Sequence, residues 1–452
     1  MDTKTLTPIL QLLQDPGPLD PNKADPVAAA NFESFYVKDL HSGHGDTISR
    51  LKLEIETSAG GRHAHLFSGT IGSGKSTELR RLADELRPTN YALVINAQEY
   101  LNPQLPLSIS ELLLAMALGI WEATAKELGV DSSSGERWAW LVSLASAGVE
   151  FKEGELSGGF AKVKVALHSN PTIRERIRQF HEARLDKLVT EIQVFFSECA
   201  EQIRTKKKLK LDAKMLLVVD SLEHFGGSAA PGQVDEVFVS LQRTFNTYAT
   251  YLRLADWTVV YSVPPLLHKL APGIANAFGE TSTYFLTSAH VFNDRAETLD
   301  DDTVNKKLVP LVRKRVGNSV IDQLIGPPEL VRIITMTGGD LRDLIRCVRA
   351  VLLKALVGNT FPVTQAHLEQ TFNDLRRPYL PLSDKTRDRL RFVAQHHNVP
   401  LADDSDWPLI ISDLTQKRVL LYLNGQEWYG VHPMLRLAIE PSAIAPVDPL
   451  TA

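Results

Sequence analysis

The sequence has few of the features that mark secreted, disulfide-bonded or membrane proteins. Its 452 residues include only two cysteines, Cys199 and Cys347, too few for a disulfide framework or a cysteine-based metal cluster. The first residues, Met1–Lys4, lack the basic and apolar regions of a signal peptide. The most apolar stretch, Leu112–Trp121, is far shorter than the roughly 20 residues that span a bilayer. We therefore expect reduced thiols, no membrane segment and a cytoplasmic location.

An excess of positive charge is also absent. The 49 Lys and Arg residues are outnumbered by 54 Asp and Glu residues, which gives a net charge of -5 and argues against a surface that binds nucleic acid broadly. The hydrophobic fraction of 44% and the charged fraction of 23% are typical of folded globular proteins. At roughly 150 residues for each domain, the length predicts about three domains.

Within this ordinary composition, Gly69–Thr77 fills every required position of the phosphate-binding loop G-x-x-x-x-G-K-[ST]. Glycines let such a loop curl so that its N–H groups point at a phosphate, with the positive end of the next helix behind them. Lys75 would reach the β- and γ-phosphates, and the Ser76 hydroxyl would bind Mg2+. The residues predicted to hold the nucleotide are Gly69, Thr70, Gly72, Ser73, Gly74, Lys75, Ser76 and Thr77.

The segments around this loop predict an α/β fold. A helix over about 46–58 precedes a strand at His65–Ser68, and a helix at Glu78–Leu86 follows the loop. Three further apolar runs predict the strands Tyr91–Asn96, Met215–Val219 and Trp257–Tyr261. Apolar strands that alternate with helices indicate a doubly wound parallel sheet covered on both faces. Ligands bind such sheets at the carboxyl ends of the strands, where the loop, Asp220 and Ser262 all fall.

The remaining organisation is predicted from helix and turn signals. Residues 1–35 hold a helix at about 5–14 and a proline-rich linker, and 36–300 form the core. That core contains a helical insertion at about 121–211, dominated by a long helix from Thr172 to about Arg204. Helices over 301–378 form a lid, and 379–440 combine two helices with a hairpin at Asn424-Gly425, as in a winged helix. Residues 441–452 form a loose tail.

Three polar residues beyond the phosphate loop are candidates for the chemistry. Asp220 follows four apolar residues and is predicted to hold Mg2+ through water; the alternative is an acidic residue that ends a buried strand. Glu223 is the candidate for polarising the attacking water, and its alternative role is a cap or ion-pair partner in the loop. Ser262 would hydrogen-bond a γ-phosphate or that water, unless it is an ordinary serine at a strand end.

The segment Gly338–Arg342 opens a predicted helix over 340–356. Asp340 is a candidate N-cap, which places Arg342 in the first turn and near a bound nucleotide. Arg346 and Arg349 share the face of Arg342 but are expected on a solvated or interface surface.

Two other segments imitate functional motifs. Leu156–Phe160 resembles the L-S-G-G signature of transporter-type ATPases, but the strand that ends in Asp220 lies about sixty residues later, so a hairpin turn between 150–152 and 161–165 explains it better. The basic run Arg204–Lys210 could touch phosphates of a nucleic acid, although a solvated loop before a buried strand is the favoured interpretation.

Together, the phosphate loop, the strand ending in Asp220, the Gly338–Arg342 element and the C-terminal helices with their hairpin resemble the AAA+ and STAND ATPases. The likeness is strongest to origin-recognition and Cdc6-type proteins and covers about 36–440. It implies ATP and Mg2+ as cofactors, with Arg342 as the second sensor on the lid and Ser262 at the first sensor. It also implies ATP and ADP states that move the lid, and nucleotide-dependent homo-oligomers in which a neighbour supplies an arginine finger.

The chain departs from the family pattern in three ways. Ser221 separates Asp220 from the next acid, Glu223, which argues against fast hydrolysis. The insertion is longer than in a minimal AAA+ module, as in some STAND and KAP-type ATPases. No arginine finger stands out; the candidates are Arg243, Arg295 and Arg313.

Three functions are compatible with these features. The leading hypothesis is an ATP-dependent switch that hydrolyses ATP slowly and engages a protein partner carrying an effector activity; family habit suggests a bacterial defence or conflict system. The second is a DNA-binding loader or transposition regulator, for which the predicted recognition helix offers only Lys417 and Arg418. The third is a nucleotide-gated scaffold without turnover, favoured if Glu223 is not catalytic.

Overall fold

The structure is a computed structural model. It describes residues 3–14, 17–22, 25–41, 46–58, 63–132, 136, 139–141, 164–165, 167–225, 236–271, 273–279, 283–293, 297–403, 406–424 and 426–439. The predicted hairpin turn at Leu156–Phe160, the turn residue Gly425 and the tail 441–452 lie outside these residues.

The described helices and strands are numbered in chain order. The first half holds α1 (Thr3–Leu12), α2 (Pro26–Phe35), α3 (Thr47–Thr57), β1 (His63–Gly69), α4 (Lys75–Leu86), β2 (Tyr91–Asn96), α5 (Ile109–Leu128), α6 (Pro171–Glu182), α7 (Leu185–Lys207) and β3 (Met215–Asp220). Then come α8 (Glu236–Thr247), β4 (Thr258–Val263), α9 (Leu267–Leu270), α10 (Gly273–Phe278) and β5 (Thr283–Leu286). The last part holds α11 (Val309–Val316), α12 (Ile321–Leu324), α13 (Pro327–Met336), α14 (Leu341–Val357), α15 (Gln365–Arg376), α16 (Asp384–His396), α17 (Trp407–Thr415), β6 (Val419–Asn424), β7 (Gln426–Val431) and α18 (Arg436–Ile439).

The central sheet has the strand order β2-β3-β4-β1-β5. The β2–β3, β3–β4 and β4–β1 pairs are all parallel, and every residue of β3 and β4 is buried. Full burial explains why these strands are continuous apolar runs without alternation. The α/β fold class predicted from the sequence is therefore confirmed.

The described chain divides into two compact units. The first comprises Met1–Thr47, Gly69–Thr77 and Leu286–Ala452; the second comprises Ile48–Ser68 and Glu78–Phe285. Most of the sheet belongs to the second unit. The phosphate-loop sequence belongs to the first, together with the C-terminal helices and the β6–β7 hairpin.

The first unit has a helical core. The buried apolar stripe of α14 includes Leu344, Val348 and Leu352, as its helical periodicity predicts. It joins one hydrophobic cluster with residues of α1, α11, α13, α15 and the hairpin. Two helices, α16 and α17, followed by the antiparallel β6–β7 pair, form the C-terminal segment.

The N-terminal segment contains more helix than its prolines suggest. The structure has a second helix, α2, where the sequence predicts an extended linker. Pro26 occupies the start of this helix, where its missing N–H costs no hydrogen bond. The Asp25 side chain caps it by accepting hydrogen bonds from the Val27 and Ala28 amides.

The long helix predicted from Thr172 to Arg204 is two helices. Helix α6 ends at Glu182 and α7 begins at Leu185, although no proline or glycine marks the break. Residue 121, the predicted start of the insertion, lies inside α5. Helix α5 begins with a capping box in which Ser108 and Glu111 satisfy each other's backbone amides.

In the described ranges, no helix is long and apolar enough to cross a membrane. Both cysteines are free and buried.

Candidate functional site

The phosphate-loop sequence connects a strand directly to a helix. Strand β1 ends at Gly69 and α4 begins at Lys75. Gly72 and Gly74 have φ angles of 93° and 99°, a backbone conformation that strongly favours glycine. A Cβ atom at Gly69 would lie 2.2 Å from the Leu286 carbonyl oxygen. All three glycines are therefore required by the local backbone.

The loop's polar side chains are held by its own backbone. The Lys75 ammonium is 3% exposed and donates to the carbonyl oxygens of Gly69 and Thr70 at 2.9 and 2.8 Å. The Ser73 hydroxyl donates to the Thr70 carbonyl at 2.9 Å. The buried Thr70 hydroxyl has no hydrogen-bond partner among the described residues. These contacts place an ammonium group and an unsatisfied hydroxyl on the loop.

The start of α4 supplies further polar groups. The first N–H groups of a helix have no acceptor within that helix, and here they belong to Lys75, Ser76 and Thr77. The half-buried Ser76 side chain lies in this first turn. The Thr77 hydroxyl accepts a hydrogen bond from the Leu19 amide at 3.0 Å, so the N-terminal segment is tied to the loop.

His41 is a neighbour of the loop that the sequence does not predict. It is half-buried, and burial together with His290 and Lys307 lowers its pKa to about 3 while the backbones of Thr287 and Ser73 act in the opposite direction. Its ring is therefore neutral at physiological pH. No sequence motif marks this histidine, because its position against the loop depends on tertiary packing.

A second group of polar residues lies at the carboxyl end of β3 and β4 in the second unit. Asp220 ends β3 and is 3% exposed, and its Oδ1 atom accepts the Ser221 amide at 2.9 Å. Ser221 adopts a left-handed φ of 75°, an uncommon conformation for a residue other than glycine. The chain then enters a short turn that carries Glu223.

Glu223 and Ser262 are brought together. The Ser262 hydroxyl, on the penultimate residue of β4, donates to Glu223 Oε2 at 2.6 Å, and both side chains are buried. The sequence predicts separate roles for these residues and does not indicate this contact. The hydroxyl orients the carboxylate, because a short hydrogen bond to a charged acceptor is strong and directional.

Arg342 lies in the first turn of α14, as predicted. Asp340 is the N-cap of that helix and accepts the Asp343 amide at 2.8 Å, which confirms the predicted cap. The Arg342 side chain is half-buried and makes no hydrogen bond or ion pair with the described residues. Of its neighbours on the same face, Arg349 donates to the Leu10 carbonyl and Arg346 lies 3.8 Å from Asp343.

The arginine-finger candidates have different environments. Arg313 forms a two-pronged pair with Asp322, whereas Arg243 is exposed on α8. Arg295 lies outside the described residues.

The turn before α14 contacts the phosphate loop. The Leu341 amide donates to the Gly72 carbonyl at 3.2 Å, and a Cβ atom at Gly72 would lie 2.6 Å from both Asp340 carboxylate oxygens. The Gly339 carbonyl accepts the Ala289 amide at 3.0 Å. The Gly-Gly-Asp sequence indicates a turn and a cap, but its contact with the loop is visible only in the structure.

The same turn carries a buried charge pair. Lys417 Nζ lies 2.8 Å from Asp340 Oδ2 and 3.0 Å from Asp343 Oδ2. Burial raises the pKa of Asp340, and Lys417 acts in the opposite direction. Burial lowers the pKa of the neighbouring His432 to about 4, so this imidazole is neutral at pH 7. Lys417 is thus the cation that pairs with Asp340 in the described part of the chain.

Metal ligands are sparse in the phosphate loop and among the polar residues at the carboxyl ends of β3 and β4. Nowhere in the described ranges do three His, Cys, Asp or Glu side chains converge as a metal cluster. The predicted Mg2+ ligands, Ser76 and Asp220, are one hydroxyl and one carboxylate. Hydroxyl and carboxylate oxygens are both ligand types that Mg2+ accepts.

Comparison with known proteins identifies similar structures but no relative in sequence. No protein-family model matches the chain, and no curated protein matches it. Among solved structures, the chain is similar to the Orc1 protein of Aeropyrum pernix in complex with DNA, at 14% identity and a TM-score of 0.35, over 88% of this chain and 91% of that chain. It is also similar to Cdc6p from Pyrobaculum aerophilum, at 13% identity and a TM-score of 0.37, over 95% of each chain.

A third similar structure is a Walker-type ATPase of Pyrococcus abyssi, at 13% identity and a TM-score of 0.41, over 95% of this chain and 99% of that chain. Two of the three, Orc1 and Cdc6p, carry the names of the clade that the sequence resembles. Because all the TM-scores lie below 0.5, we base the functional proposal on the geometry of this chain.

Proposed function

We propose that this chain binds Mg-ATP on the Gly69–Thr77 loop and acts as a nucleotide-dependent switch with slow turnover. The observation that carries the proposal is the loop backbone itself. Gly72 and Gly74 adopt positive φ angles immediately before a helix that begins at Lys75. That arrangement directs N–H groups and a helix dipole at an anion.

The residues of the loop fit a nucleotide polyphosphate. Two polar groups of the loop are already buried, the Lys75 ammonium and the Thr70 hydroxyl, and the hydroxyl has no hydrogen-bond partner among the described residues. Both could contact phosphate oxygens at little further desolvation cost. Lys75 would exchange its two carbonyl contacts for phosphate oxygens, which carry more negative charge. ATP, when bound with Mg2+, supplies the terminal phosphoanhydride bond to be hydrolysed.

The remaining candidates have separate proposed roles. Ser76 would bind Mg2+ directly and Asp220 would hold it through water. Glu223 would accept a proton from the attacking water, with Ser262 fixing the carboxylate orientation. Arg342, whose guanidinium makes no pair in the described chain, would contact the γ-phosphate. A protein partner with an effector activity and a nucleotide-dependent homo-oligomer belong to the same proposal.

A nucleotide-gated scaffold without turnover is the second candidate. The buried Glu223 carboxylate is engaged by the Ser262 hydroxyl at 2.6 Å, so one of its oxygens already accepts a donor other than the attacking water. In that case, differential affinity for ATP and ADP alone would drive the change of state.

The DNA-binding alternative receives less support. The two cations near the end of α17 are both paired within the chain. Lys417 pairs with Asp340 and Asp343, and Arg418 pairs with Asp413 at 3.4 Å. Neither is a free contact for DNA phosphates.

Steady-state ATP turnover tests the proposal and separates the candidates. We expect wild type to exceed Lys75→Ala, and Glu223→Gln to lose about 100-fold or more of the rate, as for removal of a general base. Wild type that binds ATP but turns it over no faster than Lys75→Ala would favour the scaffold. Stimulation of ATP turnover by duplex DNA would instead support the hypothesis of a DNA-binding loader.

A further inference from the structure

The turn Gly338–Asp340 is in contact with the β6–β7 hairpin as well as with the phosphate loop. The Tyr422 hydroxyl, on β6, donates to the Gly338 carbonyl at 2.7 Å. A Cβ atom at Gly338 would lie 2.4 Å from Leu420 and 2.9 Å from Pro433. The hairpin therefore packs against this turn with no space for a side chain between them.

The loop side of the turn is equally close. Asp340 directs its carboxylate at Gly72, where an added Cβ would lie 2.6 Å from both oxygens. The adjacent Leu341 amide donates to the Gly72 carbonyl. One short turn thus joins the hairpin to the loop through direct contacts on both sides.

The buried Asp340 carboxylate, which contacts the phosphate loop, depends on a cation next to the hairpin. The carboxylate is 1% exposed and lies next to the loop that the proposed function assigns to phosphates. Two negative groups in a poorly solvated region repel each other strongly unless a cation intervenes. Lys417, two residues before the start of β6, provides that cation at 2.8 Å.

We propose that Lys417 is a positioning residue for the nucleotide site: by neutralising Asp340, it makes nucleotide affinity at the phosphate loop depend on the docked β6–β7 hairpin. A partner that pulls the hairpin from the turn would leave an unpaired carboxylate beside the phosphates and promote nucleotide release. The coupling is reciprocal, so bound nucleotide would hold the hairpin in place. This inference rests on the proposed function.

A purely structural ion pair is the alternative explanation. Breaking a buried pair destabilises a fold whether or not a ligand is bound. The two roles are distinguished by affinity, because a structural pair changes the melting temperature without changing the dissociation constant of the folded protein.

Fluorescence titration with N-methylanthraniloyl-ADP in the presence of Mg2+ tests the proposal on the full chain. We expect Lys417→Met to bind about tenfold more weakly than wild type, within the usual range of coupling between sites. Asp340→Asn keeps a capping side chain, and combining it with Lys417→Met should restore affinity to near wild type. Tyr422→Phe, a milder change, should weaken binding about threefold, the effect of one lost hydrogen bond.

Arg418→Met is the matched control. It removes the adjacent cation, whose partner is the buried Asp413, without touching the turn, so its dissociation constant should equal that of wild type. Unchanged affinity in folded Lys417→Met, or a double variant as weak as Lys417→Met alone, would overturn the coupling. If Lys417→Met does not fold, Tyr422→Phe decides the outcome. Equal binding by wild type and Lys75→Ala would overturn the proposed function, and the coupling with it.

Discussion

At the scale of single residues, Gly72 is the point where the phosphate loop meets the turn before α14. Its φ of 93° and the nearby Asp340 carboxylate leave no room for a Cβ atom. We expect Gly72→Ala to lose about 1–2 kcal/mol of stability from the backbone conformation alone and to bind nucleotide poorly. Gly17→Ala is the control, because no atom lies within 4 Å of its added Cβ. Equal melting temperatures and affinities in the two variants would contradict this account of the loop.

His65 predicts a pH dependence of stability. Both of its ring nitrogens lack partners among the described residues, and burial, with a smaller effect of His63, lowers its pKa to about 4. The unfolded chain, with a pKa near 6.5, binds more protons, so stability is full above pH 6.5 and is lost as the pH falls toward 4. His65→Phe should abolish about 3 kcal/mol of that loss at pH 4. Parallel curves of unfolding free energy against pH for the two proteins would refute the assignment.

The loop residues could be predicted from sequence because their chemistry requires fixed spacing. A phosphate loop always has a lysine directly after its last glycine, and here these residues are Lys75 and Gly74. The cap at Asp340 needs only local hydrogen bonds. The pairing of Asp340 with Lys417 could not be predicted, because it joins segments far apart in the chain. Without that contact, Lys417 is interpreted as a cation exposed on a recognition helix.

At the scale of elements, a buried ion pair ties α6 to α5. Arg174 Nε lies 2.6 Å from Glu111 Oε1, and both side chains are almost fully buried. We expect Arg174→Met to cost about 3 kcal/mol in urea unfolding, because it removes the nearest cation of the buried Glu111 and leaves only Arg178, at 3.7 Å. Adding Glu111→Gln, which keeps a capping side chain at the start of α5, should recover most of the loss. If the single and double variants are equally unstable, packing rather than charge accounts for the effect.

The predicted strands match the structure well, because buried parallel strands are short apolar runs whose ends are marked by polar residues. Tyr91–Asn96 is found with the predicted bounds. The bounds of some helices were harder to predict, because their residues give conflicting or no signals for where a helix begins and ends. Prolines around α2 suggested a linker, although proline is well tolerated in the first turn of a helix. The break between α6 and α7 has no glycine or proline, so tertiary packing must decide it.

At the scale of the whole molecule, a ligand that binds only the folded chain raises its stability. With Mg-ATP at 100 times its dissociation constant, the expected gain is about 2.7 kcal/mol, seen as a higher melting temperature. Lys75→Ala should show no such gain, because the loop loses its phosphate-binding ammonium. A similar rise in both proteins would mean that nucleotide binds elsewhere.

The central claim is that the Gly69–Thr77 loop binds Mg-ATP, and calorimetric titration of Mg-ATP into wild type and Lys75→Ala tests it most directly. The account predicts one site for each chain in wild type and no saturable heat in Lys75→Ala when both proteins are folded. Saturable binding of equal affinity in the two proteins, or none in wild type, would contradict it.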